Sequence, residues 1–203
     1  MLKKMFARDK QDRPRDIVVV SGLPRSGTSM MMKMLIEGGL EPVTDSLRTV
    51  DDDNPNGYFE FESVRQLATG NIKWLEDSRG KVVKIISPLL EHLPAKHHYR
   101  VIFMQRSLQE ILASQKKMLT NRGEDSIMSD REMEEQFEKH LAAVKYWLAR
   151  QPNMEVLYIE YGKMLESPAS SCAEIASFLG APVDLSKMQA VPDQSLYRNR
   201  AAG

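Results

Sequence analysis

The chain has 203 residues, 42% of them hydrophobic and 28% charged, enough for one sizeable globular domain and hardly for two. Its 28 Lys and Arg balance 28 Asp and Glu, which excludes a global basic field for nucleic acid or an anionic membrane and requires any anion site to be built locally. One cysteine, Cys172, excludes an internal disulfide and a paired-cysteine metal site; it fits a reducing cytoplasm and reads as a small core residue.

In chain order, residues 1–15 are charged and carry neither the apolar run of a signal peptide nor a membrane span. Asp16 precedes Ile17-Val18-Val19-Val20, whose β-branched side chains predict a strand buried on both faces, as in a parallel sheet. A glycine-rich loop over 21–29 leads into a helix expected from 28 to 37, stopped by Gly38-Gly39. Met30, Met31 and Met32 in that helix are expected in the core rather than on a metal. The polar stretch 44–57, with three aspartates at 51–53, reads as a loop. A helix is expected over 62–77, with Val64, Leu67, Ala68, Ile72 and Leu75 on one face. Residues 81–86 predict a second, central strand and 100–104 a third, after which Ser107 opens a helix to about 119. His92, His97 and His98, between those strands, are expected in an exposed loop. A flexible connection over 121–129 precedes a long amphipathic helix over 130–150, a fourth strand over 155–159, and a helix from Pro168 to 179 closed by Gly180. The last twenty residues read as irregular. Strands alternating with helices predict one α/β domain over 1–203, a three-layer α/β/α stack around a mainly parallel sheet, flexible at 1–15 and 190–203.

The loop Gly22-Leu23-Pro24-Arg25-Ser26-Gly27-Thr28-Ser29 has the two glycines of the phosphate-binding pattern G-x-x-x-x-G-K-[ST] at the required spacing. Thr28 occupies the lysine position, and the basic side chain sits inside the loop as Arg25. Backbone N–H groups at the start of the helix still converge on an anion, with the helix dipole behind them. The lysine that reaches the terminal phosphates of a nucleoside triphosphate is missing, and no aspartate-rich strand end completes a magnesium site; Asp51 to Asp53 read as a solvated loop. After its buried strand, Pro24-Arg25-Ser26-Gly27-Thr28-Ser29 resembles the 5'-phosphosulfate loop of sulfotransferases, in the proline–arginine form of tyrosylprotein sulfotransferases and many bacterial members. The resemblance implies a P-loop NTPase-like fold and transfer of a sulfonate group from PAPS (3'-phosphoadenosine 5'-phosphosulfate), leaving PAP (adenosine 3',5'-bisphosphate). It implies donor contacts from Gly22, Pro24, Arg25, Ser26, Gly27, Thr28 and Ser29.

Such a donor carries a second phosphate, so its site needs a second grip. Arg106 closes the third strand and Ser114 lies eight residues later, about two turns into the next helix. Alone, Arg106 reads as a helix-flanking salt bridge; sulfotransferases place this strand–Arg–helix–Ser arrangement on the 3'-phosphate, where Arg supplies a fork of donors and Ser a hydroxyl. Leu157-Tyr158-Ile159-Glu160-Tyr161 followed by Glu166-Ser167-Pro168 resembles the family's strand, tyrosine and proline-started helix, which points to Tyr161 as the adenine contact and leaves Tyr158 to the core. Gly162-Lys163 departs from the acidic pair often found there. Arg198, in Arg198-Asn199-Arg200, matches loosely a basic C-terminal segment that returns to the 3'-phosphate.

Sulfonyl transfer, like phosphoryl transfer, is an in-line displacement that places charge on bridging and equatorial oxygens, and it needs cations aimed at them. Arg25 is one. Lys84 is the second: the family has a lysine after the corresponding strand, and a buried lysine needs an anionic partner. Cytosolic relatives take the acceptor's proton with a histidine two residues later, where this chain has Ile86; others use a glutamate after the first helix. Asp45, Glu60 and Glu62 are the candidates, and Glu60, in Tyr58-Phe59-Glu60-Phe61, is chosen. The competing reading pairs Glu60 with a surface base and has Glu62 cap a helix. His140, on the long helix, has the acceptor cleft open to it. Two rival functions stay open: a kinase or NTPase using ATP and Mg, against which the missing lysine argues, and an inactive PAP- or PAPS-binding protein. The acceptor is a hydroxyl or amine on a small molecule or carbohydrate; its site is small, or open, or completed by a second copy in a homo-oligomer.

Overall fold

The computed structural model describes residues 16–45, 57–124 and 128–193. Four strands, β1 (Ile17–Gly22), β2 (Val82–Lys84), β3 (Tyr99–Gln105) and β4 (Met154–Glu160), form one sheet in the order β2-β1-β3-β4. All pairings are parallel, with Val19 set beside Val83 on one side and Val101 on the other. β1 is central and buried along its whole length, as its run of β-branched residues requires.

The period of two in β1 sorts its side chains onto two cores. Val18 and Val20 pack with the methionines of α1 (Thr28–Glu37) and with Cys172 and Ile175 of α5 (Pro168–Leu179). Ile17 and Val19 face the opposite side, with Leu75, Leu90 and Leu148. The three-layer arrangement expected from the sequence is therefore present. Met31, Met32 and Cys172 are completely buried, in the core roles expected of them. Truncating Met31 to Ala would cost about 2–5 kcal/mol.

β2 is an end strand of the sheet, not the central one its apolar pattern suggested. Its outer edge is covered by residues 41–43: Val82 N–H donates to the Glu41 carbonyl (2.9 Å) and Val43 N–H to the Val82 carbonyl (2.8 Å). That cover supplies the burial which the sequence pattern encodes. The helix expected over 62–77 is instead two 3-10 segments, Glu62–Thr69 and Lys73–Ser78, parted at Gly70 with φ +85°. Val64 and Leu67 still reach the core, because a three-residue spacing suits three residues per turn.

Two further helices complete the frame: α2 (Leu108–Arg122), stopped by left-handed Gly123, and α3 (Asp130–Leu148). α3 starts on a capping box: Ser129 Oγ accepts from Glu132 N–H, and the Glu132 carboxylate accepts from Ser129 N–H. α4 (Tyr161–Glu166) follows β4 directly. The expectation of an irregular C-terminal segment fails over α6 (Leu185–Gln189), which Asp184 caps and fully buried Met188 pins against Gly38.

His97 is buried, 3% exposed, contrary to the exposed loop expected. Asn153 Nδ2–H donates to its carbonyl (2.9 Å), while its Nε2 is buried with no hydrogen-bond partner among the described residues, 3.6 Å from Glu76 Oε1. Burial holds the His97 pKa below the usual 6.5, with Glu76 opposing that shift. The unfolded chain therefore binds this proton more readily than the folded one. The stabilisation is complete above about pH 6.5 and is lost as the pH falls toward the lower folded value. Urea midpoints should drop between pH 7.5 and 5.5, and His97→Phe should flatten that dependence; an unchanged slope in the variant would contradict the assignment.

Candidate active site

The loop between β1 and α1 is shaped by two glycines. At Gly22, φ +146°, a Cβ would meet the Met104 carbonyl at 2.8 Å. At Gly27, φ +101°, it would run into the ring of Tyr161, 2.9 Å from Cε2. Ser26, nearly fully buried, closes the turn from inside: its Oγ donates to the Leu23 carbonyl at 2.7 Å. Pro24 is exposed at the tip. Gly27 precedes α1 without a side-chain cap, and the first helical bond runs from Met31 N–H to its carbonyl. The amides at the start of α1 thus have no intrahelical acceptor.

Arg25 has a left-handed backbone, φ 68°, uncommon outside glycine and costing of order 1 kcal/mol or more. Its side chain crosses to α2, where Nε–H donates to Ser114 Oγ at 2.9 Å. The glycine loop and the Arg106–Ser114 segment, read separately from the sequence, thus lie against each other. Arg106 completes the link: Nη1–H donates to the Arg25 carbonyl (3.1 Å), Nε–H donates to Glu110 Oε2 (2.9 Å), and its guanidinium carbon lies 4.4 Å from the centre of the Tyr161 ring. The salt bridge considered for Arg106 in isolation is present, and so is its place beside the loop.

Glu110 was missed by the sequence reading. It lies four residues after Arg106, the helical ion-pair spacing, and that spacing was the available signal. The side chains of Arg106 and Glu110 are only 8% and 7% exposed. Tyr161 is buried between Gly27 and Arg106, and burial raises its pKa, opposed by the Arg106 charge. Tyr158, expected in the core, is 37% exposed, because β4 is the other end strand of the sheet; its ring meets Phe103 and Lys145.

Lys84 ends β2 against the loop. Its Nζ donates to the Tyr58 carbonyl and stands 3.4 Å from Ser29 Oγ. Protein acceptors thus satisfy it, and burial alone does not demand an anion there. The segment 57–61 packs its aromatic residues inward, Tyr58 buried and Phe61 edge-on to Trp74 at 5.2 Å. Glu60 is half-buried and lies 3.6 Å from Arg65, the pairing named as the competing reading. Glu62 opens a 3-10 turn whose first N–H is taken by Asp45 Oδ2 (2.6 Å), so Asp45 serves as a cap. His140 reaches Ser87 Oγ through Nε2 at 2.8 Å. Asp51 to Asp53 and Arg198 lie outside the described residues.

The family model of the sulfotransferase domain matches residues 14–200, nearly the whole chain, and the chain belongs to that family. Solved structures agree on the fold. Mouse sulfotransferase SULT7A1, complexed with PAP, is 20% identical over 94% of this chain and 68% of its own, with a TM-score of 0.54. The sulfotransferase domain of the curacin biosynthetic pathway is 18% identical over 87% and 77%, at 0.53. That of the Synechococcus PCC 7002 olefin synthase is 13% identical over 97% and 87%, also at 0.53. No curated protein sequence matches. Among the described residues, no helix is long and apolar enough to cross a membrane.

Because Arg106 and Glu110 are both nearly dry, removing the carboxylate leaves a buried, poorly compensated cation. Glu110→Ala should lower unfolding stability by about 3–5 kcal/mol in urea titration. A loss below about 1 kcal/mol would show that the pair is solvated in solution.

Proposed function

We propose that the chain transfers the sulfonate group of PAPS to a hydroxyl or amine acceptor without a metal ion. The observation that carries the reading is the Arg25–Ser114 hydrogen bond, which ties the glycine loop to the strand–helix pair and makes one cationic site for a ligand with two anionic groups. The 5'-phosphosulfate would lie on the amides of residues 26–29 and the Thr28 and Ser29 hydroxyls. The 3'-phosphate would take Arg106 and Ser114, displacing Ser114 from Arg25. Arg25, released toward the sulfonate, and Lys84, beside Ser29, would then face the bridging and equatorial oxygens where charge develops. Arg25 and Lys84 are the proposed catalytic cations. Tyr161, whose ring packs on Gly27 and Arg106, borders the nucleoside end, and Arg198 remains a proposed further contact to the 3'-phosphate.

The site is distinguished from that of a kinase by ligand choice. A ligand that binds only the folded state raises the melting temperature according to RT ln(1 + [L]/Kd). PAP should stabilise the protein and ATP with Mg²⁺ should not, and Arg106→Ala should abolish the PAP shift. Stabilisation by ATP with Mg²⁺ alone would move the chain to the kinase class. PAP binding without release of PAP from PAPS in the presence of any tested alcohol, phenol or amine would favour a binding protein.

A further inference from the structure

In-line transfer needs a group beyond the sulfonate to take the acceptor's proton. Beyond Lys84 the chain turns through Ile86, whose apolar side chain is 41% exposed, into the 3-10 segment Ser87–His92. Against that segment lies α3, and between them opens a cavity of about 320 Å³. Its walls are mostly apolar, from Pro88, Leu90, Val144 and Trp147; its polar groups are Ser87, His140 and Glu91. Ser87 is three residues from Lys84, so their Cα atoms are at most about 10 Å apart. The cavity therefore lies on the segment that follows the lysine whose Nζ reaches Ser29 of the glycine loop.

We propose, on the strength of the sulfotransferase reading, that this cavity receives the acceptor and that His140 is the general base. Ser87 is 1% exposed and its hydroxyl holds His140 Nε2 at 2.8 Å, which fixes the ring. The role takes the tautomer in which Nε2–H donates to Ser87 Oγ and the lone pair lies on Nδ1, which makes no hydrogen bond among the described residues. Burial lowers the His140 pKa, opposed by the nearby Glu91 carboxylate, so the ring is neutral and able to accept a proton at neutral pH. In the step, the acceptor O–H proton passes to Nδ1 while its oxygen bonds to sulfur; the bond from sulfur to the bridging oxygen breaks, and PAP leaves with that electron pair. The apolar walls and the Glu91 carboxylate select a neutral alcohol or phenol on an apolar body and disfavour an anionic one.

The test uses the full chain, 2-naphthol as acceptor probe and two readouts. In PAP-loaded protein, 2-naphthol should shift the NMR signals of the His140 ring and leave exposed His98 unmoved. In turnover with PAPS, His140→Ala should lower kcat about 10²–10⁴-fold. His140→Gln, which can keep the bond to Ser87, should lose as much. Both His140 variants should keep the PAP-induced melting shift, which shows an intact fold and donor site. Unmoved His140 signals at saturating 2-naphthol, or full turnover in His140→Gln, or a collapse confined to Glu60→Gln, would overturn the proposal. A wild-type chain that binds no PAP would instead sink the donor reading on which it rests.

Discussion

The site depends on one nearly dry cation. Arg106 stands at the end of β3, and its guanidinium is held by the Glu110 carboxylate, the Arg25 carbonyl and the face of Tyr161. Those partners belong to α2, the glycine loop and α4. A cation out of water must be met on several sides at once, so satisfying Arg106 fixes how these elements sit relative to one another. The loop, made sharp by Gly22 and Gly27, is thereby brought against α2 closely enough for Arg25 to reach Ser114. On the proposed reading, a phosphate at Ser114 would compete with the hydrogen bond that Arg25 Nε–H now donates to the Ser114 hydroxyl, offering Arg25 a charged acceptor in its place.

Much of this was legible in the sequence because the signals are local. The β-branched run of β1 and the spacing of Gly22 and Gly27 with Arg25 between them depend on neighbours along the chain, as does the two-turn step from Arg106 to Ser114. The bounds of α1 and α5 agree with the glycines and the proline that punctuate them. What was not legible is set by distant contacts. The apolar pattern of β2 is that of a strand covered on all sides; the cover is a three-residue return of chain at 41–43, too short to announce itself. The segment 62–77 has helical periodicity, yet Gly70 adopts a conformation that ends one turn and lets a second begin.

Charged residues show the same division. Nothing local says that Lys84 will find the Tyr58 carbonyl, 26 residues away, or that His97 will be roofed over by Asn153, 56 residues away. Glu110 was within reach of sequence reasoning, since a carboxylate four residues after a strand-ending arginine faces it on the helix. Glu60 illustrates the reverse: a carboxylate among aromatics looks buried in the sequence, but it is only half-buried and lies 3.6 Å from exposed Arg65. Tyr158 behaves likewise, because a strand at the end of a sheet has a solvent side that its apolar residues do not reveal.

The measurement that tests the central claim most directly is a crystal structure of the chain with PAP. The account predicts the 5'-phosphate on the amides of residues 26–29, the 3'-phosphate on Arg106 and Ser114, and the Arg25–Ser114 hydrogen bond broken. PAP bound elsewhere, or bound with that hydrogen bond intact and Arg106 untouched, would contradict it.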